Sequence, residues 1–336
     1  MTRTDLEESR AGIVLGAGAS RSVSYADAGD VLSPLDADFF DLLQRSAATA
    51  PANDAAAVAN VIAQVQELPY ECWRSMERAF YTLHLRAYVT RKLTGESEEH
   101  PDEIVIKEFA QCVQVLLRKA HAKRSCAHHQ RLFGRLHQDD TIFSFNYDLV
   151  PERSIKSIAH QRKVTFGPSL YGLQTNHHGQ DLPLILKLHG SSNWKVTKSG
   201  KTEAITVRTN GWEELDETPG YRGHLGEGTT FPIFLPFWDK RIERGPWLRL
   251  WRTAYERLHT VGTVLIWGYS LPQTDIKAQH FFTLALAKKP IRLCVIDPSE
   301  ATRRRWRELL PEALFYPYDS IEHFFNAPPR WWQERG

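Results

Sequence analysis

Five short stretches of this sequence place chemically capable residues where the backbone turns. They are Gly16-Ala17-Gly18-Ala19-Ser20, Phe145-Asn146-Tyr147-Asp148, Lys187-Leu188-His189-Gly190, Gly268-Tyr269-Ser270-Leu271 and Asp297-Pro298. Glycines such as Gly16 and Gly18 let a chain fold sharply and let a phosphate reach backbone N–H groups unobstructed. This is the form of a dinucleotide-binding turn, although Arg21 stands where G-x-G-x-x-G has its third glycine. A structural turn after a buried strand explains the same residues. His189 supplies a ring that titrates near neutrality and can take a proton from a hydroxyl or a water. An amide such as Asn146 can place a water without adding charge. Plainer readings stand beside these: a satisfied structural histidine for His189, and caps for Asn146 and Asp148 on a helix opening near Pro151. Asp275, following Pro272 and Thr274, reads as a helix cap.

These stretches share one feature, which is that each follows a short apolar run. Ile13–Leu15, Thr141–Phe145, Leu184–Leu188, Val264–Trp267 and Ile291–Ile296 all read as buried strands. Helical periodicity lies between and after them, at Trp247–His259, Asp275–Ala287 and Ala301–Leu310. Alternating strands and helices predict an α/β fold, a Rossmann-like open parallel sheet whose ligands sit beyond the carboxyl ends of its strands. Helical spacing from Ala57 to Lys123 predicts three or four helices, an α-helical insertion over 52–128 within a single domain of 1–336. Further readings are a linker at Ala47–Ala56, strands at Lys163–Phe166 and Phe231–Leu235, a hairpin strand at Ile205–Val207 and an edge strand at Ala313–Tyr318. Asp36 or Asp38 reads as the cap of a helix carrying Phe39, Phe40, Leu42 and Leu43.

The five stretches, in this order and with this approximate spacing, resemble the sirtuin-like domains of bacterial anti-phage NAD hydrolases. The matching residues are GAGAS at 16–20, FNYD at 145–148, KLHG at 187–190, GYSLPQTD at 268–275 and VIDP at 295–298. The resemblance runs from about residue 11 to 300, and the insertion matches in position rather than in sequence. It implies a role for each site residue. Gly16, Ala17, Gly18 and Ser20 line the pyrophosphate, while Gly268 and Ser270 border the phosphate and the adenosine ribose, to which Asp297 bonds. Asn146 holds the attacking water and the nicotinamide ribose. Asp148 faces the carboxamide, and His189 is the base or the ribose-orienting group. Deacylating sirtuins share these motifs but add a four-cysteine zinc module and an Asp-Phe-Arg run. Here Asp38-Phe39-Phe40 has no arginine. The resemblance therefore implies NAD hydrolysis to ADP-ribose and nicotinamide, with no zinc and no cofactor beyond NAD as substrate. Peptide deacylation or ADP-ribosyl transfer, and a non-catalytic NAD or ADP-ribose sensor, are the alternatives.

Composition sets the outer limits. The chain has 336 residues, with 42% apolar and 24% charged, an ordinary globular balance. A net charge of +2 gives no general attraction to nucleic acid. The acidic start MTRTDLEESR is no signal peptide, and no apolar run approaches a membrane span, so the expected address is the cytoplasm. Cys72, Cys112, Cys126 and Cys294 form no C-x-x-C pair, which argues against a tetrahedral zinc site. His128-His129 and His177-His178 read as surface pairs, and Arg303-Arg304-Arg305 with Arg307 as a solvated helix face, with a phosphate or partner contact as the alternative. About 40 residues follow Pro298, too few for an ordinary separate domain. Control is accordingly expected from a homo-oligomer or, as the resemblance suggests, a DNA-translocase-type ATPase partner. The insertion helices and the aromatic segment Phe315–Trp332 are the candidate contact surfaces.

Overall fold

The computed structural model describes residues 10–21, 32–48, 50, 52–95, 100–121, 126–173, 181–199, 202–207, 229–230, 242 and 245–335. The strands are β1 (Ala11–Leu15), β2 (Thr141–Ser144), β3 (Leu184–Lys187), β4 (Trp194–Ser199), β5 (Thr202–Val207), β6 (Thr229–Thr230), β7 (Thr263–Trp267), β8 (Arg292–Ile296) and β9 (Leu314–Tyr318). Six of them form one sheet in the order β3-β2-β1-β7-β8-β9, and every pairing in it is parallel. Every residue of β1, β2, β3, β7 and β8 is buried. A strand covered on both faces reads as a continuous apolar run, which is why these segments were visible in the sequence.

Two cores cover the two faces. On one, Val14, Phe143, Val264 and Val295 pack with Trp251, Phe282 and Trp306 from the helices Gly245–Thr260, Ile276–Leu286 and Glu300–Leu309. On the other, Ile13, Leu15, Ile142 and Trp267 pack with Phe133, Ile155, Phe324 and Trp332. The sheet order reverses between β1 and β7, which creates the crevice where open α/β sheets bind ligands. The antiparallel sheet β5-β4-β6 attaches to the first face through Trp194 and Val196.

The crossover from β1 to β2 carries a helical body with its own core. Phe39, Phe40, Val58, Phe80, Leu83, Phe109 and Leu116 meet there. Its helices are Phe39–Ala47, Ala52–Gln66, Tyr70–Trp73, Met76–Thr94 and Pro101–His121. The next helix, Ala127–Phe133, packs against the main sheet instead.

Several local expectations change. Helix begins at Ala52, well inside the expected linker. Val164–Gly167 is irregular rather than a strand: the helix Val150–Arg162 ends on Lys163 at φ 57°, and Val164 N–H bonds back to the Ala159 carbonyl at 3.0 Å. Asp36 caps a distant helix, accepting from Glu77 N at 2.8 Å and Ser75 Oγ at 2.7 Å. Asp38 accepts from Leu35 N and from Arg21 instead of capping its own helix. Phe231–Leu235 and His177-His178 lie outside the described residues. The hairpin strand at 205–207 and the edge strand at 314–318 are present. The C-terminal aromatics are not a free surface. Phe324 and Trp332 are buried in the second core, with Phe325 and Trp331 packed against it. No helix among the described residues is long and apolar enough to cross a membrane.

Candidate active site

Because β1, β2, β3, β7 and β8 run parallel, all five stretches singled out from the sequence emerge at one edge of the sheet. The backbone ladder carries on into the loops. Phe145 N bonds to Leu15 O at 2.9 Å, Leu188 N to Ser144 O at 2.9 Å, Gly16 N to Trp267 O at 3.0 Å and Gly268 N to Ile296 O at 3.0 Å.

Gly16, Gly18 and Gly268 meet at the crevice between β1 and β7. Gly18 N–H donates to the Gly268 carbonyl at 2.9 Å. A Cβ on Gly16 would lie 2.3 Å from that carbonyl oxygen. One on Gly268, where φ is +62°, would lie 2.2 Å from Ala19 N. The glycines are thus required by the contact of two loops with each other, whatever else approaches them. Ala17 is exposed beside them.

The ends of β1 and β2 are joined by a buried polar relay. Asn146 Nδ2 donates to Gly16 O at 2.7 Å and to Ser20 Oγ at 3.2 Å. Ser20 Oγ donates to Asp148 Oδ2 at 2.8 Å, and Val150 N–H donates to Asp148 Oδ1 at 3.0 Å. Asp148 therefore does cap the following helix, but Asn146 does not. Because Nδ2 faces a carbonyl, the orientation of the amide is fixed and Oδ1 points away from the relay. Burial raises the Asp148 carboxyl. His121, Lys187, Ser20 and the Val150 N–H together outweigh it and hold the group below its ordinary value.

Lys187 accounts for part of that. It ends β3 with no exposed side chain, pairs with the equally buried Glu152 at 3.1 Å, and donates to the Asp148 carbonyl. Burial raises the Glu152 carboxyl, against the pull of Lys187. The signal for this pair was present in LILKL: a lysine inside a buried apolar strand requires an acidic partner.

His189 sits beyond β3, 3% exposed. Its Nε2 lies 2.8 Å from Asp275 Oδ2, which also accepts from Tyr269 Oη at 3.0 Å. Asp275 Oδ1 accepts from Ala278 N at 3.2 Å, so the cap expected from sequence is present as well. Burial pushes the Tyr269 hydroxyl well above its ordinary range, with the Asp275 charge adding to it. Phe145 stands edge-on to the His189 ring at 4.9 Å and stacks on Tyr269 at 4.2 Å. Tyr147 lies 6.2 Å from the same imidazole and packs against the helical body. That body also reaches the loop after β7, where Thr274 Oγ1 donates to Glu77 Oε2 at 2.5 Å.

The loops after β7 and β8 are held chiefly through backbone. Arg305 donates to the carbonyls of Ser270 and Leu271, Arg303 to that of Asp297, and Trp306 Nε1 to that of Tyr269 at 2.9 Å. Two arginines read as a solvated face thus tie down loops of the site. Leu271 takes φ +51°, a strained conformation held within this clasp. Ser270 is exposed. The Asp297 carboxyl accepts from Ser299 N at 2.8 Å and is raised by burial.

The four cysteines lie in three separate parts of the fold. Cys72 and Cys112 are in the helical core, Cys126 caps a helix, and Cys294 is in β8. Among the described residues, no group of three or more His, Cys, Asp and Glu side chains could hold a metal ion. His129 is not on the surface: it is fully buried, 2.8 Å from Cys126 Sγ and 4.4 Å from the Trp267 ring.

The topology defines a Rossmann-like α/β protein with a polar site at its switch point. No family model matches the chain, and neither does any curated protein. Among solved structures it is similar to a Sir2 enzyme described for its mechanism and regulation, at 12% identity and a TM-score of 0.43, covering 94% of this chain and 89% of that one. It is also similar to Sir2Tm bound to a propionylated peptide, at 11% identity and a TM-score of 0.41, covering 95% and 92%. A third is Sir2 with the inhibitor EX-527, 2'-O-acetyl-ADP-ribose and a deacetylated p53 peptide, at 12% and 0.40, covering 96% and 94%. Likeness at this level assigns no function.

Proposed function

We propose that this chain is an NAD glycohydrolase, cleaving the nicotinamide–ribose bond of NAD to give ADP-ribose and nicotinamide. The observation that supports this most is the convergence at the switch point. His189, fixed by Asp275, emerges at the same sheet edge as an asparagine whose amide is oriented by the glycine turn. Cleaving this bond builds positive charge on the anomeric carbon. It needs a base near neutrality and a placed water rather than a strong nucleophile. In this reading His189 is the base and Asn146 Oδ1 orients the water. Asp148 faces the carboxamide, or acts on it through the relay with Ser20. Gly16, Ala17, Gly18 and Ser20 take the pyrophosphate side. Gly268, Ser270 and Asp297 take the adenosine side.

Water is the proposed acceptor by the sequence resemblance: deacylating sirtuins add a four-cysteine module and an Asp-Phe-Arg run to the shared motifs, whereas this sequence has no C-x-x-C pair and reads Asp38-Phe39-Phe40. By the sequence resemblance, the setting would be anti-phage defence in the cytoplasm by NAD depletion, with activity governed by homo-oligomerisation or an ATPase partner. Incubation with NAD alone, then with NAD and an acetylated peptide, tests the reaction. ADP-ribose and nicotinamide formed without peptide are expected. Products formed only with peptide would make the chain a deacylase or transferase, and NAD bound without turnover would make it a sensor.

A further inference from the structure

We propose that Asp275 is a positioning residue for His189: it fixes the imidazole as the Nε2–H tautomer and so makes Nδ1 the basic atom. The inference deepens the NAD reading and rests on it for its catalytic consequence. Three donors converge on one buried carboxylate. Ala278 N–H approaches Oδ1 at 3.2 Å, while Tyr269 Oη and His189 Nε2 approach Oδ2 at 3.0 and 2.8 Å. A carboxylate only accepts, so Nε2 carries its proton and the lone pair of the neutral ring lies on Nδ1. The surroundings hold this arrangement rigid. Asp275 is fully buried at a helix N-terminus, Phe145 stacks on Tyr269, and Trp306 holds the Tyr269 carbonyl.

In the proposed reaction, Nδ1 accepts a proton from the attacking water. The oxygen bonds the anomeric carbon as the carbon–nitrogen bond breaks, and nicotinamide leaves neutral with the bonding electron pair. The imidazolium so formed faces the Asp275 carboxylate and later releases its proton to solvent. The carboxylate therefore does two things through His189: it sets the tautomer beforehand and stabilises the charge afterwards.

Two variants separate this from the capping role. Asp275→Asn and Asp275→Ser both retain a good helix cap. The asparagine amide can donate to Nε2 and so favours the opposite tautomer, while serine is too short to reach the ring. The readouts are the histidine side-chain nitrogen–proton correlation spectrum, assigned through His189→Gln, and NAD turnover. We expect the Nε2–H pattern in the wild-type protein and its loss in both variants. Turnover should fall about 10²–10⁴-fold with a near-normal melting midpoint. A wild-type ring protonated on Nδ1 would overturn the proposal whether or not the variants fold. So would turnover and tautomer unchanged in folded Asp275→Asn and Asp275→Ser, and that result would leave NAD hydrolysis standing. The expected tautomer switch in protein that never consumes NAD would instead uphold the positioning and remove the hydrolase reading.

Discussion

The two sides of the site are built differently. Beyond β1, β2 and β3 the loops meet through buried polar side chains: Asn146, Ser20, Asp148 and Lys187 form a continuous relay with Gly16 and Glu152. Beyond β7 and β8 the loops are gripped by their backbone carbonyls, through Arg303, Arg305 and Trp306. The first construction fixes side chains and suits chemistry. The second fixes a backbone surface and suits a ligand that is held but not changed. Asp275 and Tyr269 cross this division, since they come from the β7 loop and serve His189 beyond β3.

If the comparison is right, substituting the reacting groups of the first side removes turnover, while substituting the buried Lys187–Glu152 pair behind them, or the glycine junction, removes stability. The largest effect is expected for His189→Ala and Asn146→Ala, each lowering NAD cleavage by about 10²–10⁴-fold with circular dichroism unchanged. Near-normal turnover in a folded His189 variant would make that ring structural. Next is Lys187→Met, which strands Glu152 as a buried charge and should cost about 3–5 kcal/mol in denaturant unfolding. Adding Glu152→Leu should restore most of the loss. A double variant no better than the single one would show that Lys187 acts mainly through the Asp148 carbonyl.

At the junction, Gly268→Ala must both clash with the glycine turn and hold a left-handed conformation, at about 2–4 kcal/mol. Gly167→Ala is the control, because its Cβ would meet nothing within 4 Å. Equal melting midpoints for the two variants would refute the loop-on-loop packing.

The last effect is graded with pH rather than set by a single substitution. Burial lowers the His129 pKa from 6.5 to about 3. In that interval the unfolded chain binds a proton that the folded chain does not. The His129 contribution is therefore complete above pH 6.5, and stability falls by about 1.4 kcal/mol per pH unit as the pH drops toward the folded value. The depressed Asp148 carboxyl adds a loss in the same direction below its ordinary value of 3.8. His129→Phe, which keeps a ring against Trp267, should flatten the slope between pH 6.5 and 4. An unchanged slope would assign the acid sensitivity to other groups.

What the sequence revealed follows from where the information lies. Strands buried on both faces are written as unbroken apolar runs, so the sheet and the edge that presents the site were legible. Glycine turns and a histidine after a strand are local signals too. Asp275 was read only as a cap because its second partner is 86 positions away, and no local pattern reports that distance. The intrachain contacts of Arg303 and Arg305 are illegible for a related reason: a basic helix face looks the same whether it meets water, a ligand or loop carbonyls. His129 looked like a surface residue because its neighbour His128 is also polar, and only the packing of its helix on Trp267 places it inside. Asp36 is similar, since it caps a helix that begins 40 positions later.

The central claim is that this edge hydrolyses NAD with water, without a peptide acceptor. The most direct measurement is a single-turnover mass balance: protein in excess over NAD, no peptide, with nicotinamide, ADP-ribose and residual NAD quantified over hours alongside His189→Ala. Excess protein also favours any assembly that activity requires. The account predicts nicotinamide and ADP-ribose in equal amounts, with NAD intact in the variant. NAD intact with the wild-type protein, or nicotinamide released while ADP-ribose remains attached to the chain, would contradict it.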